Sequence, residues 1–213
     1  MDGANEEKIG LREIRDLVIN AGMQAIPYVG GPLATLYFGY KQEKRFKRLE
    51  NFYNELLKKV NEMNITFPSL TSHNSDELNA IIEELHERIE SENIEGKRKL
   101  YQNFYIKTLL FPVNGIFDER KLFLDILAEL TPLQVELLVF ISKQSVPIPD
   151  NQIVRPGTEQ SVISGSIAQL TNYGLITSQL NGITIGGGTP GIQHKIYLSA
   201  FGKKFHDFCL KDA

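Results

Sequence analysis

This chain of 213 residues has little cysteine, little net charge and, over two long stretches, no charge at all. The single cysteine, Cys209, excludes an internal disulfide framework and any zinc site built from several thiolates. A lone thiol suits a reducing compartment, so a cytoplasmic protein is expected. The formal net charge of −3 argues against a protein dominated by nonspecific phosphate binding. The opening MDGANEEKIG has no basic segment leading into an apolar core, so no secretory or transit peptide is expected. No internal repeat of useful period is present. With 42% hydrophobic and 23% charged residues the composition is that of an ordinary globular chain, which excludes wholesale disorder.

The two uncharged stretches are 17–40 and 160–194. The first, LVINAGMQAIPYVGGPLATLYFGY, is long enough to span a bilayer, and the basic KQEKRFKR follows it. Lys41, Lys44, Arg45, Lys47 and Arg48 are therefore candidate contacts for an anionic surface, whether lipid or nucleic acid. Asn20, Gln24, Pro27, Gly30, Gly31 and Pro32 lie inside the run and favour two buried helices broken at 27–32 over membrane insertion.

Apolar spacing of three and four predicts helices over 6–26, 33–63, 75–95, 97–110 and 118–130, with Ser75 opening the third and Gly96 interrupting the run after it. Thr131-Pro132 reads as an N-cap followed by proline at the first helical position, starting a helix that runs to 143. Three prolines in 145–158 prevent that segment from being one helix. Another helix is expected over 159–173, closed by Gly174 as a left-handed C′ residue. After it the pattern becomes strand-like in LITSQ and HKIYLS around the glycine-rich NGITIGGGTPG, and Ser199 opens a last helix. The fold class expected is mainly α: a helical bundle at 1–117 and an α+β domain at 118–213 with one β-hairpin. Within the bundle, 41–59 carries seven basic and three acidic groups and 76–95 eight acidic and one basic, so these helices should be antiparallel neighbours.

The segments IAQLTNYGLITSQ and HKIYLSAFGKKFHDF resemble the helix–wing part of bacterial winged-helix domains of the MarR-like and related kinds, through Leu170, Gly174, Leu175, Ile176, Tyr197, Leu198, Ser199 and Gly202. The resemblance covers about 120–210 and implies a recognition helix at 159–173, a wing, and DNA as partner. It then implies that Ser161, Ser164, Gln169 and Asn172 face the groove while Arg155, Lys195, Lys203 and Lys204 meet phosphates. Between Glu159 and Lys195, however, there is no Lys, Arg, Asp or Glu. Ser161, Gly165, Ala168 and Asn172 also form a stripe of small residues that suits a protein partner or self-association. The helical pattern across 14–60, with its Gly-Pro break, is similar to the N-terminal halves of some bacterial cell-killing effectors.

Enzyme signatures are sparse. Glu83-x-x-His86 occurs once, where a di-iron bundle needs two copies and further carboxylates, so a solvated helix face is expected. His194, His206 and Cys209 are too few and too mixed with packing aromatics to predict a metal. GITIGGGTPG lacks a Gly-Lys-Ser/Thr ending and precedes a strand, so it reads as a hairpin tip. The sequence thus points to a non-enzymatic, oligomeric regulator without metal or cofactor, most concretely a DNA-binding one. The alternative is an adaptor or effector in bacterial or phage conflict that acts through protein contacts or through a membrane via 17–48.

Overall fold

The computed structural model describes residues 40–63, 67–184 and 191–211. The expected helix over 6–26, the break at 27–32 and nearly all of the uncharged run 17–40 lie outside them. The chain is mainly α-helical with one small antiparallel sheet, and it divides into two compact units, 1–125 and 126–213.

The first unit contains α1 (Tyr40–Met63), α2 (Ser75–Ser91), α3 (Glu95–Leu110) and the first part of α4 (Phe117–Glu129), inside which the division falls. The start of α2 corrects the expectation at Ser75: the cap is Asn74, whose Oδ1 accepts from the backbone N–H of Asp76 and of Glu77. Gly96 does not interrupt a helix either. The break comes at 92–94, and Gly96 lies in the first turn of α3, where a helix tolerates it.

α1 and α2 are antiparallel neighbours: the Arg48 guanidinium donates to the Glu90 carbonyl, and Tyr53 meets His86 one turn further along. The stripe Phe52, Leu56 and Val60 of α1 buries against a core that includes Ile81, Ile82, Leu85 and Ile89 of α2. Each such side chain contributes roughly 1.5–3 kcal/mol. α3 departs from the expected single stripe, because Leu100 to Ile106 are buried without a break. Two of its inward amides are paired: Gln102 Nε2 donates to Glu55 Oε2 at 3.0 Å, and Lys59 Nζ to Asn103 Oδ1 at 2.5 Å, while Thr108 Oγ1 is buried without a partner. In α4, Leu122 is 46% exposed although its spacing to Ile126 matches the helical apolar period.

The second unit contains the end of α4, α5 (Pro132–Ser142), α6 (Gln160–Asn172), a hairpin of β2 (Ile176–Thr184) and β3 (Gly191–Leu198), and a short α7 (Ala200–Phe205) that continues into a π-helical turn, His206–Leu210. Thr131 caps α5 as expected, in a reciprocal box: its hydroxyl accepts from Gln134 N–H while Gln134 Oε1 accepts from Thr131 N–H. The sheet exceeds the expected hairpin by one strand. Ile148–Pro149 forms β1, pairing with Ile196 and Lys195, so the strand order is β1-β3-β2. Ile176, Ile196 and Leu198 are buried on the sheet face that meets the helices, and Lys195 and Tyr197 alternate onto the other.

Candidate recognition surface

α6 is amphipathic in a one-sided way. Ile163, Ser166, Ile167 and Leu170 are buried, whereas Ser161, Ser164, Gly165, Ala168, Gln169 and Asn172 all face solvent. Two hydroxyl groups, the buried one of Ser166 and the half-buried one of Thr171, stay satisfied within the helix: Ser166 donates to the Val162 carbonyl and Thr171 to that of Ile167. Gly165 has nothing within 4 Å of where a Cβ would stand, so the uncovered side of α6 is open space.

Two glycines fix how the helix meets the hairpin. Gly174 takes φ +72°, the left-handed conformation that ends α6, and Leu175 N–H then donates to the Leu170 carbonyl at 3.0 Å. Gly202 packs against the Leu175 backbone, where a Cβ would overlap the Leu175 carbonyl oxygen. Ser199 links the same places: its N–H donates to the Leu175 carbonyl, and its hydroxyl donates to that of Gly174 and caps α7 by accepting from Gly202 N–H. The segments 170–176 and 197–202 thus form one contact.

The hairpin extends past the sheet. β1 pairs with Ile196 and Lys195, so among the described residues 180–184 and 191–194 have no third strand beside them. The register shifts between Leu180 and Gly182, a bulge that bends this outer part.

The expected phosphate contacts are dispersed. Arg155 is held by Glu136, with Nε 2.8 Å from Oε2 and Nη2 3.0 Å from Oε1. Lys195 is half-buried on the outer face of the central strand, beside Gln179 in the register. Lys203 and Lys204 are exposed on α7. Gln169 is exposed but engaged: it accepts from Gln134 Nε2 at 2.7 Å and donates to the Tyr173 hydroxyl at 3.0 Å. Ser161, Ser164, Gly165, Ala168 and Asn172 remain together on one face.

In the first unit, Lys44, Arg45 and Lys47 are exposed on α1, which also includes Lys41, whereas Arg48 is partly buried against Glu90 and Asn93. Glu83 is solvated as expected. His86 is not, and this corrects the reading of Glu83-x-x-His86 as a solvated face: His86 is 5% exposed, with Nε2 2.5 Å from the Tyr53 hydroxyl and Nδ1 buried without a partner. Tyr53 stacks edge-on with both His86 and Tyr105, which joins α1, α2 and α3. Burial pushes the His86 imidazole down to about 4 and raises the Tyr53 and Tyr105 phenols. The apolar run Ile81, Ile82, Leu85 and Ile89 places position 86 on the buried side, a periodic signal that was available in the sequence.

Beside this core, Glu84 and Asp125 share the cations of Lys121 and Arg88. Desolvation pushes both carboxyls up; hydrogen bonds donated by Lys121 and Arg88, with one shared between the two carboxyls, outweigh it at Glu84, which titrates below its ordinary range, while Asp125 stays raised by burial and by Glu84. Among the described residues, no three His, Cys, Asp or Glu side chains gather as a metal site, and no helix is long and apolar enough to cross a membrane. Family models, curated proteins and solved structures were each compared with this chain, and none matches it.

Proposed function

We propose that this chain is a non-enzymatic regulatory protein of the cytoplasm whose C-terminal unit is a winged helix, with α6 as recognition helix, the β2–β3 hairpin as wing and duplex DNA as target. The N-terminal bundle then serves dimerisation, sensing or partner binding. One observation carries the reading: α6 buries Ile163, Ile167 and Leu170 and turns Ser161, Ser164, Ala168 and Asn172 to open solvent. A helix anchored on one side with hydroxyl and amide groups on the other has the form that a major groove accepts. The strand order β1-β3-β2 and the hairpin extending past β1 support it.

The charge pattern makes the test specific. Arg155 is paired with Glu136, and α6 itself has no cation, so few phosphates would be neutralised. Binding in a gel shift should weaken with salt at a slope of about −3 or shallower in log–log form, given about −0.9 per phosphate contact. Failure to bind duplex DNA at low salt would remove this reading.

A second reading, a protein adaptor or conflict effector, is favoured by the absence of charge between Glu159 and Lys195 and by the exposure of Val162 and Leu180, 49% and 60%. Capture of a protein from nuclease-treated native extract, lost on Ala168→Glu, supports it; capture that persists in Ala168→Glu counts against it. Flotation with anionic liposomes tests the lipid form of that reading, which requires loss of binding when Lys44, Arg45 and Lys47 are replaced.

A further inference from the structure

We propose, resting on the DNA-binding reading, that the duplex sites of α6 consist of A·T pairs, met in the major groove by the Ala168 methyl group on thymine and by the Asn172 amide on adenine. The base class follows first from which reading groups are missing. Guanine is read through its two acceptors by Arg or Lys, and cytosine through its amino group by Asp or Glu. None of these residues occurs from 160 to 194, a stretch that includes all of α6 and β2. The carboxylate nearest in sequence, that of Glu159, accepts from the Ser161 hydroxyl at 3.4 Å at the start of the helix. The nearest guanidinium, that of Arg155, is held by Glu136 on α5.

What α6 does present is a row. Ser164, Ala168 and Asn172 are exposed and follow one another at four-residue spacing, so they lie along one side with about 6 Å of rise between neighbours. That is close to two base-pair steps of about 3.4 Å each, so the row covers about five pairs. Gly165 beside it leaves open space where a side chain would stand, which lets base edges come near.

The three groups differ in what they accept. The Asn172 side-chain amide has no hydrogen-bond partner among the described residues, so its carbonyl and its amino group are both free for N6 and N7 of adenine. Gln169, the other amide exposed on α6 beside this row, is already committed to Gln134 and to the Tyr173 hydroxyl. The Ala168 methyl group makes an apolar contact with a thymine methyl group and offers nothing to a cytosine amino group. The Ser164 hydroxyl donates or accepts, and it discriminates least.

The test compares two pools of labelled duplexes with identical flanks and a randomised core about one helical turn long, of A·T pairs only or of G·C pairs only. In low-salt titrations of the full chain, the A·T pool should bind about tenfold or more tightly, the worth of one bidentate contact. Replacing its adenine by 7-deazaadenine, which lacks N7, should weaken the natural chain about tenfold and leave Asn172→Ala unaffected. Replacing thymine by uracil removes the methyl group and should weaken binding about threefold. Binding of neither pool removes the DNA-binding reading and the proposal with it. Equal binding of the two pools, or tighter binding of the G·C pool, overturns the proposal and leaves the DNA-binding reading standing. An A·T preference that survives both 7-deazaadenine and uracil overturns the assignment to Ala168 and Asn172, because a narrow minor groove would then be what is read.

Discussion

The two units bury different chemistry. The first holds His73, His86, Lys97, Gln102, Asn103, Thr108 and Arg120 inside, some in contacts such as Lys97–Glu92 and Tyr53–His86, while His73 Nδ1, His86 Nδ1 and Thr108 Oγ1 are buried without a partner. Among its described residues the second buries only Gln134 and Ser166 as polar side chains, both hydrogen-bonded, around Ile163, Leu170, Phe205 and Cys209. A low-dielectric interior disfavours the charged form of the buried imidazoles His73 and His86, so the first unit should respond to protons. The second depends on shape, above all on the close approach of Gly202 to Leu175.

The hardest blow to this contrast is Gly202→Ala. Its methyl group would overlap backbone, which cannot swing away as a flexible side chain can. The expected loss is about 3 kcal/mol or more. Native-state amide exchange should show it in the second unit alone; equal loosening of both units would mean that they do not unfold separately.

Acidification should act on the opposite unit. The His86 pKa is about 4 when folded and near 6.5 when unfolded, so between these values the unfolded chain binds more protons. Stability is therefore full above pH 6.5 and declines as pH falls toward 4, by about 3 kcal/mol in total. His73, lowered by burial, adds in the same direction. Urea melts across this range should show the decline in exchange of α1 to α3 and not of α6. His86→Phe should flatten it, and an unchanged slope would assign the acid response to other groups.

A smaller effect is expected from Tyr53→Phe. The variant keeps the ring stacked on His86 and Tyr105 but removes the hydroxyl, leaving Nε2 as unpartnered as Nδ1. The loss should be about 1–2 kcal/mol at neutral pH, read from chemical denaturation. Gly165→Ala should have the smallest effect and the opposite sign. Its site is open and helical, so the fold should gain about 0.5–1 kcal/mol in thermal melts. If a partner docks its backbone against this stripe, the same methyl group should weaken binding while it strengthens the fold.

Part of this was legible because the signals are local. The Thr131–Gln134 box lies within four residues, Gly174 ends α6 through its own backbone, and the spacing of Ile163, Ile167 and Leu170 sets which side of α6 is buried. The exposed positions of the candidate surface followed from the same period. Their pairing did not: Gln169 and Arg155 meet residues 35 and 19 positions away, and no pattern near either reveals it.

The sequence by itself determined where helices start, stop and turn their apolar sides, since these depend on side chains within a turn or two of one another. The tertiary structure alone decided that Ile148–Pro149 is a strand, because two residues among prolines have no strand tendency until β3 offers an edge. It also decided that His86 is enclosed by Tyr53, and that the glycine at 202 serves the backbone at 175. Each of these contacts joins groups distant in sequence, and their energy exists only once the chain has brought them together.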